Sequence, residues 1–287
     1  MYKKYVNAIQ LEGFVKLICI PVLIGLVTFL LPSLISPMVG LLKGNPTFEI
    51  GSVASIIGML VAVILMPIVM TKVSKIKLTT LGITKEKAIT QILIGSAVGI
   101  LALSFVACVI FLLGGIKIES NSLMLTTGLI GGLFFFILQG TWEELIYRSY
   151  LMPHFSKKYG DKIAVIATSV IFTLGHALNP NMQILPVMNL FIAGVVFALV
   201  YYYSGNLLFV GALHGLWNFS QGYIFGAEVS GNSIPVSLFK SIAIPGKEVI
   251  SGGDFGFEGG IVTTIVGLIL IIVLTTLIKK RNTERGA

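Results

Sequence analysis

Six side chains in this sequence stand out as able to do chemistry together: Glu143, Glu144, Arg148, His176, His214 and Asn218. They fall in three short stretches, Glu143-Glu144-Leu-Ile-Tyr-Arg148, Phe172-Thr-Leu-Gly-His176 and His214-Gly-Leu-Trp-Asn218, each inside an apolar run. Ionisable groups in such runs are costly to bury and mark function by default. Helical residues four apart stack on one face, whereas neighbours point about 100° apart. Glu144 and Arg148 are therefore expected to form an ion pair, and Glu143 to face elsewhere without a cationic partner. A carboxylate placed in that way suits proton abstraction from water. His214 and Asn218, also four apart, can offer two hydrogen-bond donors side by side, as an oxyanion requires. The bland alternatives are that both glutamates serve Arg148 and that the histidines are helix-packing groups.

The elements that must carry these residues follow from composition. Of 287 residues, 55% are hydrophobic and 11% charged, with a mean hydropathy of +0.96. A soluble domain carries about 25% charged residues, so a soluble enzyme, a disordered chain and a secreted module are excluded. The expected fold is all-α, a single polytopic membrane domain over 1–287. Runs free of Asp, Glu, Lys and Arg at Leu17–Leu42, Ile50–Thr71, Ala88–Ile116, Ser120–Trp142 and Gly259–Ile278 are each long enough to cross the hydrocarbon. The stretch between Lys162 and Glu228 has no charged side chain and is broken by turn signals at Asn179-Pro180-Asn181 and Ser204-Gly205-Asn206. About eight transmembrane helices result, near 14–34, 50–70, 88–115, 122–152, 163–178, 184–203, 206–225 and 259–278. The catalytic core is expected over 122–225.

With eight spans both termini share one side. Fifteen Lys and Arg residues then lie on that side, against Lys43, Lys117, Lys240 and Lys247 opposite. This asymmetry predicts a multi-pass protein of the cell membrane with both termini cytoplasmic. The net charge of +8 is a topology signal helped by anionic lipid headgroups, and no basic stripe with interleaved aromatics suggests nucleic acid. Cys19 and Cys108 lie in spans and form neither a disulfide framework nor a metal cluster. The first helix is too long for a signal peptide and lacks a cleavage site. Phe225–Gly259, rich in Gly and Ser, is read as an outer surface loop, with a functional role as the alternative. His154 is expected at the inner boundary without a chemical task. Trp142, Tyr147, Phe172 and Trp217 flank the polar groups as membrane-helix aromatics or as the walls of a cavity.

Depth brings the polar groups level. Counting from Lys157 and Lys162, Glu143 and His176 each lie fourteen residues in, about 21 Å at 1.5 Å per residue. Asn218 lies about 20 Å from the turn at Gly205, and His214 about 13 Å. A helix stop at Pro153 would bring Glu143 nearer the inner face.

At these residues the sequence resembles the CPBP family of intramembrane proteases, the CAAX-protease and bacteriocin-processing group also called Abi, which includes the type II CAAX prenyl endopeptidases. The family pattern of EExxxR, FxxxH and HxxxN reads here as Glu143-Glu144-xxx-Arg148, Phe172-xxx-His176 and His214-xxx-Asn218 without departure, over about 140–225. The resemblance implies an endopeptidase in which Glu143 and His176 activate a water. His214 and Asn218 would stabilise the oxyanion, with Glu144 and Arg148 as braces. It implies a peptide or lipidated protein as substrate, in CAAX-type or bacteriocin-related processing, and membrane lipid as surroundings. No cofactor is expected; zinc is the alternative, with Glu143, His176 and His214 as ligands, though the HExxH arrangement is absent. Two other classes remain open. One is a proton-coupled transporter, against which no matching halves are found. The other is a non-catalytic immunity protein on the same fold.

Overall fold

The computed structural model describes residues 2–42, 49–121, 127–234 and 236–286. Lys43 and the first five positions of the helix expected at 122–152 lie outside the described residues. The elements are α1 (Lys3–Ala8), α2 (Ile20–Leu42), α3 (Val53–Ser74), α4 (Ala88–Leu112), β1 (Ile116–Ser120), α5 (Thr127–Glu144), α6 (Met152–Tyr159), α7 (Asp161–Gly175), α8 (Ile184–Ser204), α9 (Leu207–Phe219), β2 (Phe239–Ala243), α10 (Glu248–Ser251) and α11 (Ile261–Gly286). The protein is an all-α polytopic membrane protein.

Helices occupy all eight expected positions, but they are not alike. Six are long and apolar enough to cross a membrane: Val15–Leu42, Val53–Ser74, Ala88–Leu112, Gly128–Tyr159, Ile184–Ser204 and Ile261–Glu284. The other two are shorter or less apolar: α7 has 15 residues, about 22 Å of rise against a core of about 30 Å, and α9 has 13 before it continues as a π-helical stretch over Ser220–Ile224. These two helices carry His176, His214 and Asn218. No helix stop occurs at Pro153. Proline is tolerated in the first turn of α6, and the chain runs from α5 through a π-helical stretch, Leu145–Leu151, into α6 without a break.

Capping and glycine contacts set α9. Asn206 accepts the Phe209 amide at its start, 3.0 Å, and Gly205, at φ +61°, ends α8 one residue earlier. Small residues then let α9 lie backbone to backbone between α4 and α5. A Cβ at Gly95 or Gly99 of α4 would fall 2.3 Å from the carbonyl oxygens of Phe209 and Leu213. One at Gly140 of α5 would fall 2.4 Å from the Gly215 amide, and one at Gly215 would fall 2.2 Å from the Phe136 carbonyl. Lipid offers no hydrophobic drive between helices, so close contact of this kind holds them together.

Both termini lie at one end of the bundle. Tyr2 bonds Ser156 through its hydroxyl at 2.7 Å, Lys3 pairs with Asp161 at 2.6 Å, and the Tyr5 hydroxyl donates to the Gly205 carbonyl. Arg281 donates to the Tyr203 carbonyl at 2.6 Å. Burial pushes the Tyr2 hydroxyl well above the usual tyrosine range, opposed by its bond to Ser156. The opposite end is closed by the two-stranded antiparallel pairing of β1 with β2, from Ile116↔Ala243 to Ser120↔Phe239. His154, expected at the inner boundary, is buried within the protein. Its Nδ1 donates to the Tyr150 carbonyl at 2.7 Å and its Nε2 meets Ser74 Oγ at 2.9 Å. That pairing satisfies an imidazole that apolar neighbours would otherwise strand.

Candidate active site

Glu143 and Glu144 end α5 and point about 100° apart, as adjacent helical residues must. Glu144 is fully buried with two partners. Its Oε2 lies 3.2 Å from Arg148 Nε, and its Oε1 accepts from His214 Nδ1 at 2.9 Å. The Arg148 approach is a charge contact without hydrogen-bond alignment. Arg148, itself 0% exposed, lies against two rings, its guanidinium carbon 4.8 Å from the centre of Phe172 and 5.6 Å from that of Tyr147. A buried cation is tolerable with a paired carboxylate and aromatic faces around it. The π-helical turn at Leu145–Leu151 carries Arg148, and such turns recur where helices serve a site.

Glu143 meets a different set. Gln139, one turn earlier on α5, donates its Nε2–H to Glu143 Oε1, and Asn218 on α9 donates Nδ2–H to Gln139 Oε1 at 3.1 Å. The direction of this relay is fixed at one end, because an ionised carboxylate only accepts. Gln139 must turn its amino group to Glu143 and its carbonyl to Asn218, so Asn218 turns its own amino group to Gln139. Glu143 Oε2 and Asn218 Oδ1 are left without hydrogen-bond partners. Glu143 Oε2 stands 3.8 Å from His176 Nε2, beyond direct hydrogen-bonding range.

His176 caps the end of α7, just past its last helical residue. Its Nδ1 donates to the Phe172 carbonyl at 2.8 Å, which points Nε2 at Glu143. The Phe172 ring lies 4.6 Å from His176 and 6.1 Å from His214. His214 is also stacked on Phe197 at 4.4 Å. All six residues singled out by type and spacing are therefore gathered at one place. Among the described residues, no three His, Cys, Asp or Glu side chains are placed to hold one metal ion. His214 gives Nδ1 to Glu144 and Glu143 engages Gln139 through Oε1, bonds that leave His214 Nε2 and Glu143 Oε2 uncommitted and that metal-bound groups also make.

Glu143, His176, His214, Asn218 and Gln139 line a cavity of about 510 Å³. Part of its wall is apolar, built by Val196, Phe197, Val200, Leu213, Leu270 and Leu274. Another part is polar, with Asn179, Asn189, Ser230, Asn232 and Glu258. That polar part comes largely from the connection read as an outer surface loop, which hydrogen bonds pin to the bundle. Glu258 Oε1 accepts from Trp217 Nε1 at 3.1 Å, and its Oε2 accepts from the Ser230 amide and hydroxyl at 2.9 and 2.7 Å. Asn189 donates to the Glu258 and Gly260 carbonyls at 2.7 and 2.9 Å. Of the flanking aromatics, Trp217, Phe172 and Trp142 line the cavity, and Trp142 also donates to the Thr28 carbonyl of α2 at 2.9 Å. Tyr147 packs on Arg148 instead.

Sequence reasoning missed Gln139 and Glu258. Gln139 was visible in principle, as a polar residue one turn before Glu143 in a charge-free run. Glu258 has no such signal, because its place at the site depends on the folding back of a long connection. No curated protein matches the chain. A family model does, described as type II CAAX prenyl endopeptidase Rce1-like, over residues 125–220. Over that third of the chain, which carries every one of the six site residues, this membrane protein matches the Rce1-like CAAX prenyl endopeptidase family that its three motifs resemble.

Proposed function

We propose that the protein is an intramembrane endopeptidase that hydrolyses a peptide bond with a water activated by Glu143 and His176. The observation that carries this reading is the 3.8 Å gap between Glu143 Oε2 and His176 Nε2 at the cavity wall. A water beside both atoms gives one proton to the carboxylate and is oriented by the imidazole lone pair. Its oxygen bonds to the carbonyl carbon of the substrate, and the carbonyl oxygen takes the negative charge. His214 then serves as oxyanion donor. Glu144 holds Nδ1 of this ring, and in the imidazolium form that a carboxylate partner favours, Nε2–H is the group that meets the oxyanion. The second Nδ2 hydrogen of Asn218 acts beside it. Glu143 passes its proton to the amide nitrogen, the C–N bond breaks, and the products are a carboxylic acid and an amine, which become carboxylate and ammonium by proton exchange. Glu144 and Arg148 hold His214 in place. No bound metal is invoked.

The substrate is a peptide or a lipidated protein, whose apolar part is accommodated by the apolar wall of the cavity. The termini are placed in the cytoplasm, on the strength of the fifteen Lys and Arg residues on their side. The test is cleavage of a fluorogenic prenylated CAAX peptide by detergent-purified protein. Glu143→Gln should lower kcat by about 10²–10⁴ while melting unchanged, and a strong zinc chelator should leave the wild-type rate intact. Loss on chelation with recovery on added zinc would overturn the mechanism. Undiminished turnover by Glu143→Gln would overturn the assignment of the base.

A further inference from the structure

Glu258 lines the cavity from a short turn, Phe257–Gly259, outside the segment that matches the family. An ionised carboxylate only accepts hydrogen bonds, and here both oxygens do so. Oε2 accepts the amide and the hydroxyl of Ser230 at 2.9 and 2.7 Å, and Oε1 accepts the Trp217 indole N–H at 3.1 Å. Ser230 meets the carboxylate from a left-handed backbone, φ +49°, which a non-glycine residue keeps only where its surroundings hold it. Asn189 of α8 donates to the Glu258 carbonyl at 2.7 Å, so the turn itself is held as well. Glu258 is thus fixed from behind, and the side chain it holds in turn is Trp217.

Trp217 stands between the two residues that meet the oxyanion, three positions after His214 and one before Asn218. Just beyond it α9 gives way to the π-helical stretch from Ser220, so the α-helical bond pattern that would keep this last turn in register ends here. On its other side the turn is pressed against α4, where a Cβ at Gly99 would fall 3.0 Å from the Trp217 amide. An indole has a single donor, and Glu258 takes it. Rotation of the turn would break that bond and carry Asn218 away from the cavity. The charge of Glu258 also acts on His214, as do those of Glu144 and Glu143. We infer that Glu258 is a positioning residue for the hydrolysis, which through the Trp217 indole keeps Asn218 and His214 aimed together at the oxyanion. This role rests on the peptidase reading above and adds to it a residue from the 226–260 connection.

The test compares Glu258→Gln, Trp217→Phe and their combination in the full-length protein in detergent, with the fluorogenic prenylated CAAX peptide as substrate. A glutamine offers one acceptor oxygen where donors converge from both sides, so it cannot serve Trp217 and Ser230 at once. Each single change is expected to lower kcat about tenfold, the effect of one lost hydrogen bond to a charged group, with KM within about twofold and the melt unchanged. Because both changes act on one bond, the double variant should fall no more than about twofold below the slower single one. The chain has two tryptophans, so isotope-labelled indoles give two N–H signals by NMR, read without turnover. The signal absent from Trp217→Phe should shift in Glu258→Gln, while that of Trp142 stays in place. Losses that multiply in the double variant, a change in KM alone, or an unmoved Trp217 signal overturns the inference. So does a Glu258→Gln protein that melts early while Trp217→Phe melts and turns over like the wild type, because Glu258 would then serve the fold alone. Failure of the peptidase reading shows separately, as absence of Glu143-dependent hydrolysis in the wild type, and it would overturn this role with it.

Discussion

Gly215→Ala tests whether the site depends on the backbone contact between α9 and α5. The added Cβ would lie 2.2 Å from the Phe136 carbonyl oxygen, about 0.8 Å inside the 3.0 Å that such atoms tolerate. The atoms it meets belong to Phe136 and Ile137 backbone, so no side chain can swing away. The two helices must part by about that distance, and overpacking of this kind costs about 1–3 kcal/mol. His214 is the neighbouring residue, and its 2.9 Å bond to Glu144 would stretch to roughly 3.7 Å, past hydrogen-bonding range. Losing a bond to a charged partner costs about 1.5–3 kcal/mol, or about 10- to 100-fold in rate if it is needed in the transition state. Gly25→Ala on α2 is the matched control, since its Cβ finds only ordinary contacts with Ile146 and Leu151 at 3.4–3.6 Å. Melting in detergent and peptide turnover would be measured for both. A Gly215→Ala protein with wild-type melt and rate, or a Gly25→Ala protein equally damaged, would refute the argument.

Three further outcomes are expected. Arg148→Met should destabilise the protein by about 3–5 kcal/mol, because the buried Glu144 loses its cation; Glu144→Gln with Arg148→Met should recover part of this, as read by denaturant titration, and strict additivity would refute the pairing. Cysteines placed at the exposed positions Lys158 and Ser233 should react with an impermeant reagent from opposite sides of the membrane, Lys158→Cys from the cytoplasm; same-side labelling would sink the topology. Tyr2 has its folded pKa raised by burial, so the stability it lends is complete below its unfolded value and lost as pH rises through the folded one. Protease protection of residues 2–8 should therefore stay constant from about pH 6 to 9 and fall only above about 10; a fall near neutrality would contradict this.

Charge gaps along the chain were enough to place the helices, since a run without ions is what hydrocarbon demands. Ends were harder to read: α7 stops at Gly175 and not at 178, so His176 is a capping residue, and α2 runs to Leu42 through Pro32 and Pro37. The pairing of β1 with β2 left no trace in the sequence reading, because it joins segments more than a hundred residues apart.

What the sequence determined by itself was the membrane class, the six polar residues, and a pair set by local geometry, Glu144 with Arg148. Four-residue spacing on a helix brings two side chains together whatever surrounds them. Only the tertiary structure decided the other partners. Glu144 also takes His214, Glu143 faces His176, and Asn218 is turned by Gln139. Those contacts cross between helices, and their lengths depend on how closely the backbones of α4, α5 and α9 approach at glycines. The folding of the 226–260 connection onto the cavity, which delivers Glu258, depends on hydrogen bonds from Ser230, Asn189 and Trp217. Local periodicity carries no information about such distances, so they exist only once the chain has packed.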